Sequence, residues 1–355
     1  MFYTALELKM VFKKHNHGGQ LEVASKKYQI PVKEWLDLST GINPNTYPLP
    51  PVPNECWQRL PETNDGLETA ATIYYGSKYL LAVSGSQEAI QTLPLLFSNK
   101  QRVGIVKPAY HSHQQAWEEA GHEIIALASN EIDTQINTLD ILIIVNPTNP
   151  STESFMPEKL YNWHQQLKRR NGLLIIDEAF IDATPENSLI KEESEVGLIV
   201  LRSIGKFFGL AGIRLGFVWA EENILNQLAE KQHDWSVSHP ARWAGKIALQ
   251  DNEWHQAQRK NLKNQSKRLE DLLEKTIFTK PLETGSVYFN TTNNHVKHTA
   301  LFAFFLYPFA KRIHQQLAEQ GILTRLFDFP ALRFGLPADK HEWQRLEHAL
   351  DNLKL

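Results

Sequence analysis

The chain has almost no cysteine. Cys56 stands alone among 355 residues, so no disulfide can form within the chain. That excludes a secreted, disulfide-stapled scaffold. A packed or half-exposed Cys56 is a better expectation than a nucleophile. Long blocks of one charge are also missing: 37 Lys and Arg stand against 40 Asp and Glu, for a formal net charge of −3. Such a balance gives nucleic acid no electrostatic footprint, and leaves room only for a local basic pocket that takes a small anion. The most apolar run, LFAFFLYPFA at 301–310, is well short of the ~20 residues that span a bilayer. The opening MFYTALELKMVFKK lacks a charged-then-apolar signal pattern. The expectation is a cytoplasmic protein with no membrane partner. No internal repeat is visible. No G-x-x-x-x-G-K-[ST] phosphate loop exists either, which sets ATP hydrolysis aside.

What remains is ordinary for a soluble enzyme, with 42% hydrophobic and 22% charged residues. The length suits two domains, or one large and one small. LEVASKKYQ reads as a short helix. GINPNTYPLPPVP, at 41–53, carries five prolines in thirteen residues and reads as an arm without regular structure. From about residue 66 the pattern alternates. The strand-like runs are KYLLAVSG, RVGIVKPAY, ILIIVNPTNP, GLLIIDEAF, LIVLRS and GIRLGFVWA. Between most of them lie helical runs such as LETAATIYYG, HSHQQAWEEAG and PEKLYNWHQQLKRRN. This order predicts a mostly parallel sheet covered by helices. A long helical region follows over roughly 221–275. The strands SVYFNTT, LTRLFD and ALRFGLP, with the helices ALFAFFLYPFAKRIHQQLAEQG and HEWQRLEHALDNL, predict a smaller α+β domain. The expected division is an N-terminal arm with part of the small domain at 1–53, a large domain at 54–240 and a small C-terminal domain at 241–355.

Ligands of an open parallel sheet bind beyond its carboxyl strand ends. Several polar residues fall there. VSGSQEA puts Gly85, Ser86 and Gln87 at a strand-to-helix turn, where free N–H groups favour a phosphate; taken alone the motif is weak, and a plain turn with a serine cap explains it better. Asn149 sits in the turn of IVNPTNPST. Asp177 ends LLIIDEAF, and a carboxylate after four apolar strand residues is costly without a partner. A metal, or a cationic ligand atom, would satisfy it. Lys206, in LRSIGKFFGLAGIRLGF, lies among small and apolar residues. Desolvation lowers a lysine's pKa and makes the amine nucleophilic, as Schiff-base chemistry needs. Arg214, eight positions on, can return to the same cleft and hold a phosphate by its planar fork. Each residue alone has a bland explanation as a turn residue or an ion pair. Their joint occurrence in this order at strand ends does not.

This constellation resembles the fold-type I pyridoxal-phosphate (PLP) enzymes of the aspartate aminotransferase superfamily, over nearly the whole chain. The resemblance implies an α/β fold: a large PLP-binding domain built on a mostly parallel seven-stranded sheet, plus a smaller α+β domain. It implies that Lys206 carries the pyridoxal 5'-phosphate and that Asp177 pairs with its ring nitrogen. Asn149 would bond the ring's phenolate oxygen, and Tyr110 of KPAYHSH would stack on the ring. Ser86, Gln87, Ser203 and Arg214 would bind its phosphate. Arg333, in ALRFGLP, matches the arginine that takes a substrate carboxylate. A homodimer is also implied.

The wording DEAF…RSIGKFFGLAGIRLGF is similar to the histidinol-phosphate aminotransferase branch. HGGQ at 17–20, LDLSTGINPNTYP at 36–48 and ILTRLFDFPALRFGLP at 322–337 resemble more closely the L-threonine-O-3-phosphate decarboxylases of cobalamin biosynthesis. A small phosphorylated amino acid is then the expected substrate. Arg325, Arg333 and Asn149 would hold it, with the loop of His17, Gly18 and Gly19 closing on its phosphate. An aminotransferase acting on histidinol phosphate or an aromatic amino acid is the alternative. A non-catalytic cofactor-binding module is a third, disfavoured by the presence of both Lys206 and Asp177. His15, His17, His111 and His113 have no carboxylate or cysteine partner in sequence, so no metal is expected. Two departures stand out. Leu60 occupies the R-L-P segment where many relatives have R-Y-P, and Phe180 stands in DEAF where many aminotransferases have tyrosine.

Overall fold

The computed structural model describes residues 18–278 and 296–354. His15, His17 and the expected strand SVYFNTT lie outside the described residues. A seven-stranded sheet forms the centre, in the order Leu80–Val83, Gly216–Trp219, Leu198–Ser203, Leu173–Asp177, Ile141–Val145, Arg102–Val106 and Glu123–Leu127. Gly216–Trp219 runs antiparallel to both its neighbours; the remaining pairs are parallel. The three central strands are buried along their whole length, as uninterrupted Ile, Leu and Val runs require when both faces are covered.

Alternation sorts those side chains into two cores. Ile141, Ile143, Ile175, Ile199 and Leu201 pack with Ile90, Leu93 and Trp117 on one face. Leu142, Ile144, Leu174, Ile176 and Val200 pack with Leu160, Trp163 and Leu167 on the other. Leu160, Trp163 and Leu167 belong to the helix Pro157–Lys168, whose apolar stripe recurs at helical spacing.

The C-terminal part holds a four-stranded antiparallel sheet in the order Arg325–Leu326, Ala331–Gly335, Phe302–Leu306 and Lys297–His298. The short strand Leu36–Asp37 pairs in parallel with Ile322–Leu323, so the N-terminal arm joins this part. The arm then runs without regular structure through 41–53, as its prolines dictate.

Three readings of the sequence need correction. ALFAFFLYPFA is not the start of a helix: Phe302–Leu306 is a strand paired with Ala331–Gly335, and the helix begins at Ala310. Its aromatic side chains suit a pleated surface, and Pro308 bars a helix from continuing through. The helical region 221–275 is three helices: Glu222–Lys231, His239–Gln250 and Asn252–Leu273. The breaks are capped, with Ser238 accepting from the Ala241 N–H and Asp251 from the Trp254 N–H. The edge strand Glu123–Leu127 carries no clear period, and the sequence reading missed it.

Candidate active site

Lys206 lies in the single helical turn Ile204–Phe207, directly after the strand Leu198–Ser203. Ser203 starts that turn by accepting the Gly205 N–H at 3.3 Å. Phe207 and Phe208 turn away from the cleft and are fully buried in the core. The amine comes within 5.5 Å of the Phe180 ring centre. Burial first, then the charges of Arg333 and Arg214, push its pKa down to about 8, against the opposing pull of Asp177. Its apolar setting therefore favours the neutral, nucleophilic amine.

Asp177 ends the strand Leu173–Asp177 and is 3% exposed. Its Oδ2 lies 2.9 Å from Nε2 of His113, and its Oδ1 accepts the Ala179 N–H at 3.1 Å. His113 sits in the first turn of the helix His111–Glu119, one turn beyond Tyr110, and is buried. The Tyr110 hydroxyl donates to Gln87 Oε1 at 3.1 Å.

Gly85, Ser86, Ser203 and Arg214 converge on one corner. Gly85 has φ +75°, and a Cβ there would stand 2.6 Å from Nη2 of Arg214. Gly216 pairs in register with Ser203. A Cβ on Gly216 would meet the Ser86 nitrogen at 2.6 Å. Two glycines thus let three chain segments close around a backbone turn and a guanidinium. Arg214 holds a left-handed φ of 55° and donates from Nη1 to the Ala211 carbonyl at 3.2 Å.

A cavity of about 760 Å³ opens beside this corner, lined among others by Gly18, Tyr110, Asn149, Lys206, Arg325 and Arg333. Asp177, Gly19, Ser86, Gln87, Ser203 and Arg214 do not line it. Arg333 is buried at the cavity end; its Nη1 donates to Asn149 Oδ1 at 2.5 Å and its Nη2 to the Ser39 carbonyl at 2.7 Å. Its Nε is buried with no partner among the described residues. Burial, then the charge of Arg325, lowers the Arg333 pKa to about 10, with Asp37 opposing. Arg325 is the direct register partner of Arg333 on the neighbouring antiparallel strand. Like charges set opposite one another cost stability, and an anion between them removes that cost. Gly19 does not face the cavity; its N–H donates to Ser39 Oγ at 2.7 Å.

The residues fit pyridoxal phosphate on their own chemistry. The corner at Gly85 has an arginine and a hydroxyl for a phosphate, and a Cβ would fill its cradle. The buried carboxylate of Asp177 suits a ring nitrogen's positive charge, and a lysine of lowered pKa suits an aldehyde. Among the described residues no group of three or more His, Cys, Asp and Glu is placed to hold a metal ion.

Sequence reasoning missed three features. His113 was weighed only as a metal ligand, although its spacing from Tyr110 puts it one helical turn deeper, beside the strand ends. Ser39 carried no signal. The buried Arg202 also went unnoticed: it donates to Glu178 Oε2 at 3.1 Å and bonds Asp182. Its signal was a charged residue in an otherwise apolar strand. Glu178 and Arg202 adjoin Asp177 and Ser203 in sequence, so this bridge holds the two functional strand ends together.

The model of the family "Aminotransferase class I and II" matches residues 60–352. A threonine-phosphate decarboxylase of Pseudomonas aeruginosa is 45% identical over 339 residues, covering 95% of this chain and 98% of that protein. One of Sinorhizobium sp is 36% identical, covering 96% and 98%. The fold is shared with the histidinol-phosphate aminotransferase of Sinorhizobium meliloti, solved in complex with pyridoxal-5'-phosphate. There the TM-score is 0.75 at 15% identity, with 99% of this chain and 97% of that chain covered. The order of lysine, aspartate and arginines around the cleft, set on this sheet, thus has a known home: the chain belongs to the aminotransferase class I and II family.

Proposed function

We propose that the protein removes the carboxylate of L-threonine O-3-phosphate to give (R)-1-amino-2-propanol O-2-phosphate, a step of cobalamin biosynthesis. One observation carries the reading. Arg325 and Arg333 stand opposite each other on adjacent strands and face the cavity that holds Lys206. A substrate with a carboxylate and a phosphate needs two such cations, and a plain amino acid needs one. The identity to threonine-phosphate decarboxylases over almost the whole chain supports the same substrate.

Pyridoxal phosphate, when bound, supplies a protonated ring that accepts the electron pair released as the carboxylate leaves. The chain's residues do the rest. Asp177 keeps a proton on the ring nitrogen, and His113 holds that carboxylate in place. Arg214, Ser203 and the Gly85 turn would hold the phosphate of the cofactor, and Tyr110 would lie against its ring. Lys206 carries the cofactor and returns a proton to Cα of the substrate. Arg333, fixed by Asn149 and Ser39, takes the carboxylate. Arg325, with the segment at Gly18, takes the substrate phosphate. Held at both ends by Arg325 and Arg333, the substrate would present its Cα–carboxylate bond for cleavage in preference to its Cα–H bond.

We assign cofactor binding to the large domain, 54–240, and the substrate side to the arm and small domain, 1–53 and 241–355. The working unit is a cytoplasmic homodimer. Trp57, Leu60 and Ile73, all more than half exposed on the single chain, offer apolar surface to a second copy. The test is a product balance: with L-threonine O-3-phosphate alone, CO2 and aminopropanol phosphate should form one to one. A keto acid product in place of CO2 would replace this reading with an aminotransferase.

A further inference from the structure

Ser39 links two features of the cavity that no motif connects. It is 2% exposed. Its hydroxyl accepts the Gly19 N–H at 2.7 Å and donates to Asp37 Oδ1 at 2.6 Å; its own N–H donates to the same oxygen at 2.9 Å. Its carbonyl accepts Nη2 of Arg333 at 2.7 Å. That carbonyl also bears directly on the Cα of Gly18, where a side chain would collide with it. Gly18 and Arg333 both line the cavity, and so do Thr40, Gly41 and Ile42, which follow Ser39. Asp37 lies in the short strand Leu36–Asp37 that fixes the arm to Ile322–Leu323. One buried residue therefore holds an anion-binding arginine on one side and a glycine segment on the other. Neither Arg333 nor the glycine segment can shift away from Ser39 without breaking a bond that Ser39 makes.

We propose that Ser39 is a positioning residue: its hydroxyl docks the Gly18–Gly19 segment against the carbonyl that orients Arg333, so the two ends of the substrate are gripped as one unit. The inference rests on the substrate reading above. It places the hydroxyl's effect on substrate binding and not on the chemical step, because Ser39 touches neither Lys206 nor Asp177.

The test compares the holoenzyme with Ser39→Ala, Ser39→Thr and Gly18→Ala. Ser39→Ala should raise KM for L-threonine O-3-phosphate about tenfold, the size of one well-made hydrogen bond. It should leave kcat within about threefold and the visible absorbance of the bound cofactor unchanged. Ser39→Thr, which keeps the hydroxyl, should recover most of the loss. Gly18→Ala displaces the same segment, so combining it with Ser39→Ala should give no more than the larger single effect; residues acting through one contact are not additive. An unchanged KM in Ser39→Ala overturns the proposal. So does a fall in kcat and thermal stability together without a KM change, which marks a purely structural role. Independent multiplying effects in the double variant overturn it as well. If the wild type fails to turn over threonine phosphate, the substrate reading fails instead. Inorganic phosphate affinity, read by its protection against thermal unfolding, then decides whether Ser39 still governs anion binding.

Discussion

Arg325 and Arg333 are register partners on two adjacent antiparallel strands, with both side chains on the face that borders the cavity. Two guanidinium groups in that relation repel, and burial sharpens the repulsion: both have pKa values below the ordinary arginine value, desolvation being the first cause. The fold tolerates this cost at the place where an anionic substrate would cancel it. Arg325→Gln should therefore make the unliganded protein more stable, by about 0.2–1 kcal/mol for one like-charged cross-strand pair. The same change should raise KM for the phosphorylated substrate by at least about tenfold. Thermal unfolding with and without inorganic phosphate checks the first part: phosphate should protect the wild type more than the variant.

Arg333 is held on both Nη atoms, by Asn149 and by Ser39. Truncation to Arg333→Ala leaves Asn149 Oδ1 and a buried carbonyl without a donor. KM should rise on the order of a hundredfold, as loss of a buried charged partner costs at least about 2 kcal/mol. The cofactor absorbance should stay. Loss of cofactor together with substrate affinity would mean that Arg333 serves the fold and not the substrate.

The pair of His113 and Asp177 is buried on both sides. His113→Leu, which removes the donor, should keep the cofactor but lower kcat about 10- to 100-fold, since an unsupported buried carboxylate loses ~1–3 kcal/mol of hydrogen bonding. Asp177→Asn should lower kcat further, with the ring nitrogen no longer held protonated. A rate near wild type in Asp177→Asn would contradict its role.

Lys206 predicts a pH dependence. Its pKa is lowered from the ordinary 10.5 to about 8 in the folded chain. The unfolded chain therefore binds more protons between those values, and folded stability must rise with pH across that window. Below about pH 8 the whole penalty is present. Lys206→Met should thus stabilise the cofactor-free protein at pH 7, by up to about 3 kcal/mol, and lose that advantage as pH approaches 10. The rate at which cofactor-free protein captures pyridoxal phosphate should rise with a midpoint near pH 8. A midpoint near the ordinary lysine value would contradict the desolvated amine. Lys206→Ala should abolish both the visible absorbance and the activity.

Gly85 predicts a purely steric effect. Gly85→Ala puts a Cβ at 2.6 Å from Arg214 Nη2, at a φ of +75° that alanine avoids. Cofactor affinity should drop at least about tenfold, while KM measured at saturating cofactor changes little. Titration of the cofactor-free variant with pyridoxal phosphate reads this directly.

Much of this was legible in the sequence, and particular residues show why. Asp177, Ser203 and Lys206 end or follow apolar runs buried on both faces, so their polarity stands out against a uniform background. Arg325 and Arg333 could be named as cations, but their opposition depends on a register that strand Ala331–Gly335 sets with its neighbour. Ser39 carried no signal and His113 was read only as a possible metal ligand for the same reason: each acts through a partner far along the chain. The strand Phe302–Leu306 was mistaken for helix because a short aromatic run has no decisive period, and only its partner strand settles its state. The edge strand Glu123–Leu127 is half exposed and supplies too few buried positions to mark itself.

The measurement that bears most directly on the account is the number of turnovers per active site on L-threonine O-3-phosphate without any keto acid. The account predicts many turnovers, steady release of CO2, and a cofactor absorbance that returns to its starting form. A single turnover that leaves the amino form of the cofactor, and that resumes only when 2-oxoglutarate is added, would contradict it.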